Sequence, residues 1–112
     1  MDEELLAGHV GELRRGTVVL ACLSVLDEAR YGYALLTTLE HAGFDVDANT
    51  LYPLLRRLEK QGVLTSEWNT EESRPRKFYV LTDAGRALRS ALAQEWAALD
   101  HRVRTALEGT PS

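Results

Sequence analysis

The chain is short of the features that usually announce a function. It has one cysteine, Cys22, in 112 residues. An internal disulfide is therefore impossible, and so is a paired-cysteine metal site. Cys22 lies in an apolar stretch and reads as a small buried hydrophobe. Prolines number three, and no repeat, low-complexity tract or long linker interrupts the chain. The longest apolar run, residues 17–26, is about half of the ~20 residues a membrane span needs; it reads as a buried helix. The N-terminus, MDEELLAG, lacks the basic n-region of a secretory signal, which makes a cytoplasmic location the expectation.

Catalytic signatures are missing as well. His9, His41 and His101 are scattered, and there is no HExxH, no Gly-rich phosphate loop and no nucleophile elbow. Cys22 and Ser24 sit in an apolar helix, a poor place for a nucleophile. No pair among His9, Cys22, His41 and His101 has ligand spacing on one helix face. The chain reads as a non-enzyme that holds neither metal nor cofactor. With 45% apolar and 27% charged residues it has the make-up of one ordinary globular domain.

An overall excess of positive charge is also absent, since the formal net charge is −4. The distribution tells more. Residues 1–48 carry nine acidic and three basic side chains, residues 49–82 carry four and six, and residues 83–112 carry four of each. The one cationic segment is the one whose pattern suggests contact with phosphate, and local sign matters more there than the whole-chain sum.

That segment opens with NTLYPLLRRLEKQG. At 100° per residue, Leu51, Leu54, Leu55 and Leu58 fall on one side, while Tyr52, Pro53, Arg56, Arg57 and Lys60 cover the rest. A helix over residues 50–61 is predicted, with Thr50 as its N-cap, Pro53 in the first turn, Asn49 just outside and Gly62 as the stop. Residues 63–69 and 77–82 read as antiparallel strands, because Phe78 and Val80 alternate with Tyr79 and Leu81. Trp68 is expected to pack beneath them. The polar connection carries Arg74 and Arg76, with Lys77 following; Glu71 and Glu72 partly oppose their charge.

Upstream, residues 1–15 contain Leu5, Leu6, Val10 and Leu13 broken by Gly8 and Gly11, a marginal helix at best. Residues 15–29 read as a helix with Val18, Val19, Cys22, Leu23 and Leu26 inward. A turn over 27–32 leads to a helix over 33–42 with Leu35, Leu36 and Leu39 inward. Gly43 ends it, and residues 44–48 form an extended link that is a candidate small strand. Downstream, Thr82 caps a helix reaching to about residue 107. The expected fold is mainly α with a small β-hairpin: a winged helix-turn-helix over 13–82, a long helix over 83–108, and an N-terminal segment, 1–12, that joins a dimer interface.

In such a fold a helix enters the major groove N-terminus first. Thr50, Tyr52 and Arg56 are then placed to meet bases or phosphates, with Arg56 suited to a bidentate guanine contact. Lys60 extends the basic face. Arg74, Arg76 and Lys77 supply backbone or minor-groove contacts from the wing. A winged-helix module that binds protein instead of DNA is the alternative, and the acidic N-terminal half keeps it open.

Four motifs in this order resemble the PadR family of bacterial transcriptional regulators. They are Arg30-Tyr31-Gly32-Tyr33, Thr50-Leu51-Tyr52-Pro53-Leu54-Leu55, Leu58-Glu59-Lys60-Gln61-Gly62, and Arg76-Lys77-Phe78-Tyr79-Val80-Leu81-Thr82-Asp83-Ala84-Gly85. The resemblance covers about residues 13–107. It implies a homodimeric repressor on a palindromic operator, released by an effector. Tyr33 and Asn49 are also candidate DNA contacts. The short length is similar to the subgroup with a single C-terminal helix, in which that helix dimerises and flat aromatic compounds bind beside a tryptophan. Phe78 stands where the family commonly has Tyr, and Asn49 where it often has Gly.

The last helix supports a dimer on its own terms. Leu88, Leu92, Trp96, Leu99, Val103 and Leu107 follow at steps of three or four. So long an apolar stripe needs a partner surface, either the N-terminal leucines or a second copy. Trp96, flanked by Leu92 and Leu99, has two readings: filler of a dimer core, or one wall of a site for a planar aromatic effector.

Overall fold

The computed structural model describes residues 1–71 and 73–109. Among them, five helices and three strands follow in the order α1 (Glu3–Arg15), α2 (Val18–Val25), β1 (Arg30–Tyr31), α3 (Gly32–His41), α4 (Ala48–Lys60), β2 (Leu64–Asn69), β3 (Arg76–Leu81) and α5 (Asp83–Glu108). The sheet is antiparallel with β3 in the middle, paired to β1 and β2. The predicted class, mainly helical with a β-hairpin wing, is the observed one, and the sheet gains a short third strand.

Burial of the predicted leucines builds the core. Leu51, Leu55 and Leu58 of α4 are all but sealed, as are Leu35 and Leu39 of α3 and Leu23 of α2. Each such side chain contributes about 1.5–3 kcal/mol by leaving water. Tyr79 and Leu81 close the core from β3, and Leu88 and Leu92 pack on it from α5. Cys22 is fully buried. Burial pushes its thiol up to about 11, so it stays protonated and unreactive at neutral pH.

The N-terminal half departs from the sequence reading. Residues 3–15 form a full helix in spite of Gly8 and Gly11, because the Asp2 carboxylate caps it, accepting from the Glu4 amide at 2.8 Å. Glu3 and Glu4 in its first turn and Arg14 and Arg15 in its last complement the dipole. The helix expected over 15–29 is only Val18–Val25. Arg30 explains the early stop: its guanidinium donates to the Val25 carbonyl and pairs with Asp27 at 3.2 Å. Residues 30 and 31, expected to turn, are instead drawn into β1 opposite Tyr79 and Phe78. The third strand comes from there, and the 44–47 link contributes none.

Two regions reach beyond the core. No residue of α1 is buried, and Leu5, Leu6 and Leu13 face solvent. The far half of α5 leaves Trp96, Leu99, Val103 and Leu107 between 50% and 81% exposed. With 26 residues that helix is about 39 Å long.

A tight joint fixes where α5 begins. The Thr82 hydroxyl donates to the Gly62 carbonyl at 2.7 Å and accepts from the Gly85 amide at 3.0 Å. The Thr82 amide donates to the Val63 carbonyl. Gly85 lies so close that a Cβ there would stand 2.1 Å from that same carbonyl oxygen. We expect Gly85→Ala to lower unfolding free energy by about 3 kcal/mol or more, since backbone must yield. Urea denaturation measures it, and a loss under about 1 kcal/mol would contradict the tight joint.

Candidate nucleic-acid interface

The helix-turn-helix consists of α3 and α4, and the wing is the β2–β3 hairpin. The start of α4 corrects the predicted cap. Asp47, in extended conformation, is the N-cap, and its carboxylate accepts from the Thr50 amide at 2.8 Å. Asp is a stronger cap than Thr, so the cap lies three residues earlier than expected. Asn49 therefore lies within the first turn and Thr50 at its third position. Pro53 falls inside the helix, where it cannot donate to the Asn49 carbonyl. Water can satisfy that exposed carbonyl, which limits the penalty.

The outer face of α4 presents Asn49, Thr50, Pro53, Arg56, Arg57 and Lys60 to solvent. Arg57, expected on the outer face but not among the candidate DNA contacts, is exposed as Arg56 is. Tyr52 departs from its expected outward role. It is half-buried against the core, and its ring rests on Gly32, where a Cβ would meet Cε1 at 2.9 Å. Gly32 is thus the space into which Tyr52 fits, and the pair sets the approach of α4 to the start of α3.

Two sets of contacts hold the wing. On the α3 side, Tyr31 stacks on Tyr33 with centroids 5.7 Å apart and meets Phe78 edge-on at 6.0 Å. The Asn69 amide donates to the Tyr31 hydroxyl at 2.7 Å. Arg76 donates to the Tyr33 hydroxyl at 3.0 Å and lies over its ring. Tyr33 and Arg76 remain exposed, so this pair forms one cationic, hydroxyl-bearing surface at the loop end of the wing strands. On the α4 side, Glu59 accepts from the Ser66 hydroxyl at 2.6 Å and pairs with Lys77 at 3.5 Å.

That second contact revises Lys77. Its ammonium is turned back toward α4 and over the Tyr79 ring, 5.5 Å from the centroid, not outward as expected of a phosphate contact. Tyr79 sits in the same environment; burial, then the Glu59 carboxylate, raises its hydroxyl above the ordinary tyrosine range. Arg74 is exposed on the connecting loop. Glu72, expected to oppose it, lies outside the described residues. Trp68, expected beneath the wing, is 62% exposed. It lies opposite Lys77, one pair before the connecting loop, and the core does not cover it.

Trp96, Leu92 and Leu99 come together on one groove between α5 and α2, of about 450 Å³ and shared with Val19 and Leu20. Trp96 also borders a second, more apolar hollow of about 500 Å³ lined by Leu20, Ala21, Val25 and Phe44. No group of three or more His, Cys, Asp or Glu side chains able to hold a metal occurs among the described residues. None of the described helices is long and apolar enough to cross a membrane.

A helix-turn-helix followed at once by a β-hairpin packed on its second helix defines the winged-helix class. Comparison with known proteins narrows this further. The model of the Transcriptional regulator PadR-like family matches residues 19–91. The chain is 38% identical over 99 residues to Transcriptional regulator Rv3488 of Mycobacterium tuberculosis (strain ATCC 25618 / H37Rv), with 88% of this chain and 90% of that protein covered. It is 45% identical to a PadR family transcriptional regulator from Eggerthella lenta DSM 2243, with 96% of both chains covered and a TM-score of 0.91. A PadR-like regulator from Bacillus cereus strain ATCC 14579 is 28% identical, with 88% and 99% covered and a TM-score of 0.78. The chain belongs to the PadR-like family of transcriptional regulators. The family and these relatives are transcriptional regulators.

The Asp47 cap gives a direct check on how α4 is held. Asp47→Ala is expected to cost about 0.5–2 kcal/mol in unfolding free energy and to fray residues 48–50. Denaturant titration with amide exchange at Thr50 tests this; an unchanged exchange rate there would mean the carboxylate is dispensable.

Proposed function

We propose that this regulator is a homodimeric repressor that binds a palindromic operator and is released by a planar aromatic compound at the dimer interface. The observation that carries the reading is the solvent face of α4. Asn49, Thr50, Arg56 and Lys60 line it, and the wing is held beside it with Arg74 and Arg76 exposed. Arg56 is assigned to base recognition, with Asn49 and Thr50 entering the groove first. Lys60, Arg74 and the Tyr33–Arg76 pair are assigned to the phosphate backbone.

The dimer rests on the uncovered apolar side chains of α1 and distal α5. Exposed Leu5, Leu6, Leu13, Trp96, Leu99, Val103 and Leu107 are more than a lone soluble subunit tolerates. A two-fold assembly would cover them and match a palindrome half-site for half-site. The effector site rests on the two hollows beside Trp96, whose size falls in the range of small-molecule pockets. The repressive sense follows from the family resemblance.

The test is a salt-dependent gel shift on a palindromic duplex, run beside sedimentation of the free protein. Affinity should fall steeply as salt rises, and the protein should sediment as a dimer at micromolar concentration. Arg56→Ala should cost about 1–3 kcal/mol on operator with little change on random duplex. A monomer, or no duplex affinity at any salt, would overturn the reading in favour of a protein-binding module.

For the effector, titration with a planar cationic dye should quench tryptophan fluorescence in the wild type. Trp96→Ala should lose most of that quenching and about tenfold or more in affinity, consistent with removing an aromatic wall. Retained quenching in the variant would move the site away from Trp96.

A further inference from the structure

Glu59 is the one acidic residue on the basic helix α4, and the DNA-binding role gives it no obvious use. A carboxylate near the interface repels phosphate. Yet its two oxygens are both engaged, and both partners come from the wing. Oε2 accepts from Ser66 of β2 at 2.6 Å, and Oε1 faces Nζ of Lys77 of β3 at 3.5 Å. The side chains of Glu59 and Lys77 are each only about a third exposed, at 34% and 32%. Lys77 is held further by the Tyr79 ring beneath it. One side chain therefore ties α4 to both strands of the hairpin.

We propose that Glu59 is a positioning residue for DNA recognition: with Ser66 and Lys77 it clamps the wing at a set angle to α4. Lys77 then serves the protein's own geometry and does not contact phosphate. The proposal rests on the reading that α4 and the wing together meet DNA. Physically, the wing has no helix of its own behind its tip. Its angle is set by the Tyr31–Tyr33–Phe78 stack on one side and by this clamp on the other. Releasing the clamp leaves the hairpin held by β1, the tyrosine stack and its buried root, but no longer tied to α4 through Glu59. Arg74 and Arg76 then reach their phosphates from a broader range of positions, which weakens the register of α4 in the groove.

The experiment uses Glu59→Gln, Lys77→Met and the double variant in the full chain. Gln keeps an acceptor for Ser66 but removes the charge that engages Lys77. Binding is measured on a palindromic duplex selected from a random library by the wild-type protein, and on random duplex, across a salt series. Amide exchange of residues 66–69 and 76–79 is measured without DNA, with thermal unfolding alongside.

Each single variant is expected to lose about threefold to fivefold on the selected duplex, the range of a partly exposed ion pair. The double variant should be no worse than either single, because both break the same contact. The salt slope should stay at its wild-type value, and wing amides should exchange faster with the unfolding midpoint little changed. The clamp is overturned if Lys77→Met lowers the salt slope by about one while Glu59→Gln tightens binding to random duplex. Lys77 would then be a phosphate contact that Glu59 merely masks. Additive losses, or unaltered wing exchange in all three variants, overturn it equally. Should selection recover no duplex, the DNA reading fails, and the exchange data still decide the clamp.

Discussion

Everything in this molecule is arranged around the leucine edge of α4. Leu51, Leu54, Leu55 and Leu58 are all part of the core, so the helix whose outer side is proposed to meet DNA is anchored along its whole inner side. A surface helix in a small domain is ordinarily a soft element. Here the apolar edge takes that freedom away. Asp47 closes its start, Gly62 in a left-handed turn closes its end, and Tyr52 wedges against Gly32. The outer side chains are thereby presented from a well-anchored helix, which suits the proposed reading of bases.

The acid–base balance looks adverse for a DNA-binding protein and is not. Most of the excess acid lies in residues 1–48, in α1, the turns and the link before α4. Three of the nine carboxylates there are locally occupied: Asp2 and Asp47 in capping amides and Asp27 in holding Arg30. These carboxylates have local structural roles, capping peptide N–H groups and holding Arg30, while the excess positive charge falls on residues 49–82. Glu59 follows the same logic on the wing side.

Sequence patterning revealed a good deal of this. The four leucines of α4, the alternation along β3 and the Thr82 cap are local signals, and the structure reproduces each. What patterning missed was tertiary. Arg30 reaching back to the Val25 carbonyl shortens α2, and pairing with β3 makes a strand of residues expected to turn; neither partner is visible from the local window. The start of α4 was placed at Thr50 to accommodate Pro53 in the first turn, but the Asp47 carboxylate is the better cap and the helix absorbs the proline. The turning of Lys77 toward Glu59 depends on strand register, and composition counted it simply as one more positive charge. Trp68, expected to pack beneath the wing, is exposed instead.

The junction at Thr82 has a further implication. One residue separates the last strand of the wing from a helix about 39 Å long, and that residue is pinned by three hydrogen bonds with Gly85 pressed onto the Val63 carbonyl. No elastic connector is available to absorb rotation between the two. In the proposed assembly, the crossing angle of paired α5 helices would then act as a ruler, setting how far apart two reading heads stand along a duplex. Divergence in spacer length between operators would be accommodated by changes deep in the α5 pairing, far from any nucleotide.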